Sequence, residues 1–135
     1  MIKTAISVAD IRVKEDGARR SVSSIYLYPG PSSDARAISL LKSEGLLALR
    51  NAGGLCTARF DADILTAGMD YASLRAGRRF LLGGAEIEIS GVGKRCFENC
   101  PLHIGGERCP LQKSCAFARV TAPGRVCAGD AIKPL

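Results

Sequence analysis

The chain has 135 residues, 47% of them apolar and 24% charged, with a formal net charge of +6. That length suits one domain, residues 1–135, with enough apolar material for a core that does not depend on disulfides. No apolar run approaches the roughly 18 residues of a membrane span, and the first residues lack the basic-then-apolar pattern of a secretory signal.

Taken in order, residues 2–13 alternate loosely and are rich in Ile and Val (Ile2, Ile6, Val8, Ile11, Val13), which predicts a strand or two joined by a bend. Residues 14–20 form a polar turn around Gly17, and residues 22–28 read as a second strand, completing an N-terminal hairpin. Pro29, Gly30 and Pro31 stop it. Residues 39–51 place Leu40, Leu41, Glu44, Leu47 and Ala48 at helical spacing, with Gly53-Gly54 as the stop, and predict the main helix. Residues 55–64 return to a strand pattern, and residues 70–74 to a short helical turn. Residues 78–82 and 85–92 are two strands joined by Gly83-Gly84, a pair suited to a tight hairpin. Ile87 and Ile89 fall on one side of the second strand, Glu86, Glu88 and Ser90 on the other. Residues 116–121 and 125–128 are further strands, Gly129-Asp130 a turn, and residues 131–135 a last extended piece. The expected class is mainly β, a closed or partly open antiparallel β-barrel with one main helix and a Cys-rich loop.

That loop is where the chemistry concentrates. Cys96, Cys100, Cys109 and Cys115 are four of the six cysteines, spaced Cys-x3-Cys-x8-Cys-x5-Cys, and His103, the only histidine, lies among them. Without a secretory signal the expected location is cytoplasmic, where thiols or ligands outnumber disulfides. The spacing contains neither paired Cys-x2-Cys knuckles nor an iron–sulfur run. A zinc or iron–sulfur site on Cys96, Cys100, Cys109 and Cys115 and a local disulfide both remain open beside a thiol role. Cys96 differs from the others because it follows Lys94-Arg95, and two cations favour the nucleophilic thiolate. Between Lys94 and Arg125 six basic residues face two acidic ones, a surplus that suits an anionic ligand. Nucleic acid is not expected there, because interleaved aromatics are missing. Cys56 and Cys127 sit in apolar contexts and are expected in the core. His103 reads as a loop or surface residue, and one histidine excludes a Ser/His/Asp arrangement alongside other duties.

Three blocks resemble the MOSC family, named after the C-terminal part of molybdenum cofactor sulfurase. Arg59-Phe60-Asp61-Ala62-Asp63-Ile64-Leu65-Thr66-Ala67-Gly68-Met69-Asp70 is similar to the family's Phe-x-Glu-Asn-Ile/Leu-x-Thr-x-Gly-Ile-Asp. Leu74-Arg75-Ala76-Gly77-Arg78-Arg79-Phe80-Leu81-Leu82-Gly83 is similar to Leu-x-x-Gly-Asp/Thr-Arg-Leu-x-Ile-Gly. The third block, Gly93-Lys94-Arg95-Cys96 with Cys100, Cys109, Phe117-Ala118-Arg119-Val120 and Gly129-Asp130, resembles a short stand-alone prokaryotic branch. The resemblance implies a compact β-barrel and a part in molybdenum cofactor sulfuration or delivery, with Cys96 as sulfur carrier through a persulfide. Cys100, Cys109 and Cys115 would relay sulfur or hold metal. Arg36, Lys94, Arg95 and Arg119 would attract the molybdopterin. The implied partners are the molybdenum or tungsten cofactor and its client or sulfur-donor enzyme. Family descriptions also include molybdenum ion and pyridoxal phosphate binding, the latter without a matching lysine context here. Two departures stand out. The Gly-Asp-x-His-x-Gly segment that precedes the family's Arg-x-Val-Ser-Leu has no counterpart before Arg36-Ala37-Ile38-Ser39-Leu40, and the family's Glu-Asn is Ala62-Asp63. The alternative reading is a non-catalytic metal-binding or partner-binding module on a degenerate version of the fold.

Overall fold

The computed structural model describes residues 6–16, 18–30, 38–45, 51, 62–93 and 114–135. Among the described residues ten strands follow in chain order: β1 Ser7–Glu15, β2 Ala18–Val22, β3 Ser24–Leu27, β4 Ile38–Lys42, β5 Ile64–Ala67, β6 Arg79–Leu82, β7 Ala85–Val92, β8 Cys115–Ala122, β9 Gly124–Cys127 and β10 Ile132–Pro134. Eight form one strongly curled, half-barrel sheet in the order β10-β6-β7-β8-β4-β5-β1-β2, and β3 pairs with β9 in a second, two-stranded sheet. The curl brings β1 round to the start of β10. There Ser7 bridges Ala131, Val8 N–H donates to the Asp130 carbonyl at 2.8 Å and Gly129 N–H donates to the Val8 carbonyl at 2.8 Å.

The concave face holds the core. Ile11, Leu40, Ile64, Leu82, Ile87, Ile89, Ala116 and Ala118 are buried together there. Strict alternation along β1 would send Val8 and Ile11 to opposite faces. A register shift between Val8 and Asp10 against β5 turns both inward, the role of a bulge. The hairpin β6–β7 follows the sequence expectation: Leu82 faces Ala85 across Gly83-Gly84, and Gly83 takes a positive φ of 58°. Ile87 and Ile89 are buried as expected, and Glu88 lies outside, across from Arg119. Gly124 is needed for a different reason, since a Cβ there would land on the Gly84 carbonyl.

Four expectations are corrected. Among the described residues there is no helix, and the start of the expected helix at 39–51 is strand β4. β4 lies between β8 and β5 and buries Ile38, Ser39, Leu40 and Leu41 in succession, so both of its faces are covered and the alternation that marks a strand is lost. The sheet is not wholly antiparallel, because β4 and β5 run parallel. Residues 43–63 between them are long enough for the crossover that a parallel pair requires. The N-terminal hairpin pairs β1 with β2, Glu15 facing Ala18 and Asp16 at a positive φ of 52°, while the rest of the expected 22–28 strand leaves for β9. Finally, Val126 rather than Cys127 enters the core from β9, and Cys127 is half-buried. Of the strand expected at 55–64, Ile64 begins β5 and Ala62 and Asp63 precede it outside any strand, while residues 55–61 lie outside the described set. No helix among the described residues is long and apolar enough to cross a membrane.

Candidate functional site

The parallel pair β4–β5 organises two polar sites, one at each end. From Ile38 to Lys42 is four residue steps, about 13 Å at the usual strand rise.

At the C-terminal end of the pair, the chain enters and leaves the cysteine-bearing segment 94–113. Gly93 N–H donates to the Cys115 carbonyl at 2.8 Å, and Lys42 N–H donates to the Ser114 carbonyl at 2.7 Å. The flanks of the segment are therefore fixed to each other and to β4. Cys115 is not in a loop but is the first residue of β8, fully buried and not in a disulfide. It stands across from Leu41, which in turn stands beside Leu65. These three side chains are buried on the convex face, away from the core cluster. On the concave side of the same end, the buried Thr66 hydroxyl and Tyr71 phenol share a 2.6 Å hydrogen bond. Burial pushes the Tyr71 phenol well above the usual tyrosine range, against the opposing pull of the Thr66 bond, so it stays a neutral hydrogen-bonding group. Glu44 closes the end: its Oε2 accepts from Gly68 N–H at 2.7 Å and its Oε1 from the Ser43 hydroxyl at 3.3 Å. Burial raises the Glu44 carboxyl, but the Gly68 N–H, its own N–H, the Ser43 hydroxyl and the Lys42 charge together outweigh it and hold the group below its ordinary value.

At the N-terminal end, Asp63 and Ser39 bind each other reciprocally. Ser39 N–H and its hydroxyl reach Asp63 Oδ2 at 2.9 and 3.1 Å, and Asp63 N–H donates to the Ser39 hydroxyl at 3.0 Å. The Arg19 guanidinium takes Asp63 Oδ1 at 2.8 Å, and Arg12 N–H donates to the Asp63 carbonyl at 2.8 Å. Beside this network Asp10 accepts from the Ser21 hydroxyl at 2.7 Å, from Ile11 N–H at 2.9 Å and from Arg12 Nε at 3.3 Å. Partial burial raises the Asp10 carboxyl and these bonds more than reverse it. A cleft of about 260 Å³ opens here, with Ile25, Leu27, Ile38 and Ile64 as apolar wall and Arg12 and Asp63 as polar rim.

Solved structures share this arrangement of strands. YiiM from Geobacillus stearothermophilus matches at a TM-score of 0.62 with 15% identity over 96% of this chain and 75% of that one. YiiM from Escherichia coli matches at 0.60 with 17% identity, over 97% and 68% respectively. The YUAD protein from Bacillus subtilis matches at 0.64 with 14% identity, over 96% and 94%. The chain has a MOSC-like fold. No family model matches its sequence, and no curated protein does.

Within the MOSC-like fold two of the expected site residues have described positions. Cys115 sits at the base of the cysteine segment, as above. Arg119 lies on the convex face of β8 with Nε 3.5 Å from Glu88 Oε2, and Arg79 approaches the same carboxylate at 3.6 Å. Cys96, Cys100, Cys109, His103, Arg36, Lys94, Arg95 and Cys56 lie outside the described residues. Sequence reasoning missed the Thr66–Tyr71 pair, Glu44, Arg19 and the Ser39–Asp63 bond. The last had a visible signal: Ser39 and Asp63 belong to two motifs that resemble the same family, and the fold joins those motifs.

Proposed function

We propose that this MOSC-like chain carries sulfur on Cys96 for molybdenum cofactor sulfuration or delivery. The observation that supports it most is the fixed base of the cysteine segment: Gly93 is hydrogen-bonded to Cys115 at 2.8 Å, and Lys94, Arg95 and Cys96 follow Gly93 directly in sequence. A thiolate beside two cations is a competent sulfur acceptor. In the reaction proposed, the Cys96 thiolate attacks the terminal sulfur of a persulfide on a sulfur-donor enzyme. A new S–S bond forms at Cys96, the donor's S–S bond breaks, and the donor leaves as a thiolate. Cys100 and Cys109 are the relay thiols, with Cys115 as the buried member at the base.

Of the four cations expected to attract the molybdopterin, Arg119 alone is among the described residues. Its guanidinium is turned to Glu88, as Arg19 is to Asp63 and Arg12 to Asp10. The cofactor enters this reading as the acceptor held by the client enzyme.

Native mass spectrometry of protein purified without oxygen tests the proposal. Added sulfur that a reductant removes, and that Cys96→Ala abolishes in a folded protein, is the expected result. A metal-sized increment that survives the reductant and disappears in Cys100→Ala or Cys109→Ala would replace the sulfur carrier with a zinc or iron–sulfur module. Unaltered sulfur loading in Cys96→Ala sinks the assignment of Cys96.

A further inference from the structure

The cleft at the N-terminal end of β4–β5 lies at the other end of the pair from Gly93 and Ser114, which flank the cysteine segment. Its apolar wall is made of residues carried by strands β3, β4 and β5. Leu27, Ile38 and Ile64 are core residues, almost wholly buried, and Ile25 packs against the same core from β3. Small-molecule sites are mostly apolar with a few convergent polar groups. This one offers Arg12 and Asp63 at its rim.

The charge arrangement narrows the ligand class. Arg12 faces Asp10 at 3.3 Å and Arg19 faces Asp63 at 2.8 Å, two cations against two carboxylates. The rim is therefore balanced within a chain whose net charge is +6. Asp63 Oδ2 already accepts two hydrogen bonds from Ser39, so the carboxylate is largely committed. A charged ligand entering would shed its water against an apolar wall and compete with internal partners for both rim charges. A neutral one loses little and needs only an edge-on hydrogen bond. Size points the same way. An engineered apolar cavity of about 150 Å³ holds benzene, and this cleft, at about 260 Å³, has room for one substituted ring.

We propose that the cleft binds a small, neutral, single-ring compound carrying one hydrogen-bonding substituent, with the ring on Ile25, Leu27 and Ile38 and the substituent at Arg12 and Asp63. Benzamide, benzoate and benzamidine share a shape and differ in charge, so they separate the alternatives. In amide-resolved NMR of the full chain, benzamide should produce saturable shifts confined to the cleft residues Arg12, Val13, Ile25, Leu27, Ile38, Asp63 and Ile64. Benzoate and benzamidine should bind at least about tenfold more weakly. Ile25→Trp should abolish the benzamide shifts and leave the remaining spectrum dispersed, with Val13→Phe as the second variant if the first does not fold. Both variants should load sulfur on Cys96 as the parent does, which keeps this site distinct from the other. Tighter binding of either charged probe, shifts outside the cleft, absence of saturation by all three probes, or undiminished binding in a folded filled variant each overturn the proposal.

Discussion

The two ends of β4–β5 solve the same problem with different chemistry. Both must end a parallel strand pair whose backbone groups need partners. The N-terminal end uses ion pairs at half-exposed positions: Arg19 with Asp63, Arg12 with Asp10, and Ser39 locked onto Asp63. The C-terminal end uses a buried neutral pair, Thr66 with Tyr71, and one carboxylate, Glu44, that binds backbone. Charged networks at a surface are adjustable and screened. A buried neutral pair is neither, because its members have no water to fall back on. The end with the buried neutral pair is the one at which Gly93 and Ser114 flank the cysteine segment.

The strand shared by both ends gives the largest expected effect. Leu40→Ala removes a fully buried side chain from the middle of β4, and the loss should be about 3 kcal/mol. Chemical denaturation measures it, and hydrogen exchange should show Ser39 and Ser43 amides losing protection together. Loss at one end alone would mean that the ends are independent units.

The neutral pair comes next. Tyr71→Phe leaves the Thr66 hydroxyl buried without its 2.6 Å partner, at a cost of about 1–3 kcal/mol. Adding Thr66→Val removes the stranded group, so the double variant should be more stable than the sum of the single effects predicts. Additive losses in a thermal melt would show that the hydroxyl finds another partner.

How much of this was legible in the sequence follows from burial. The hairpin β6–β7 was readable because Glu86, Ile87, Glu88 and Ile89 alternate between solvent and core. β8 was readable for the same reason from Ala116 onward. β4 was not, because its neighbours cover both faces, and the apolar run Ile38, Leu40, Leu41 fits a helix as well as a central strand. The bulge in β1 hid that strand's register, since Val8 and Ile11 share a face at a spacing of three. Of the site, the sequence displayed the cysteine cluster and two motif blocks. It could not display that Ser39 and Asp63 touch across a separation of 24 residues, nor that Tyr71 turns back onto Thr66. Cys115 read as part of the loop because its spacing continues the cluster, whereas its pairing with Leu41 makes it the first residue of a core strand.

The ion pairs of the other end are worth less individually. Arg19→Ala and Asp63→Asn should each destabilise by about 1 kcal/mol or less, and the coupling between them should shrink in high salt. Asp63→Asn should exceed Arg19→Ala, because the carboxylate also holds Ser39 through its Oδ2. A double-mutant cycle in low and high salt measures both points. Equal effects, independent of salt, would show that the guanidinium contributes by packing alone.

The smallest effects are in acid, and they distinguish the ends by which donors each carboxylate has. Asp10 and Glu44 are both held below their ordinary values. In each, burial pulls upward and hydrogen bonds pull further down: Ser21, Arg12 and Ile11 N–H for Asp10, Gly68 N–H, its own N–H and Ser43 for Glu44. A carboxyl with a depressed folded-state pKa stabilises the fold above its unfolded value, and that contribution disappears as the pH falls through the folded value. Stability should therefore decline as the pH drops below about 4, the ordinary carboxyl range. Asp10→Asn and Glu44→Gln should each flatten part of the decline. Asp10 lies next to a guanidinium, so its share should shrink in salt. For Glu44 the Gly68 N–H comes first and the Lys42 charge last, so its share should shrink less. Melting curves between neutral and acid pH at two salt concentrations separate the two, and an acid decline unchanged in both variants would place its origin in other carboxylates.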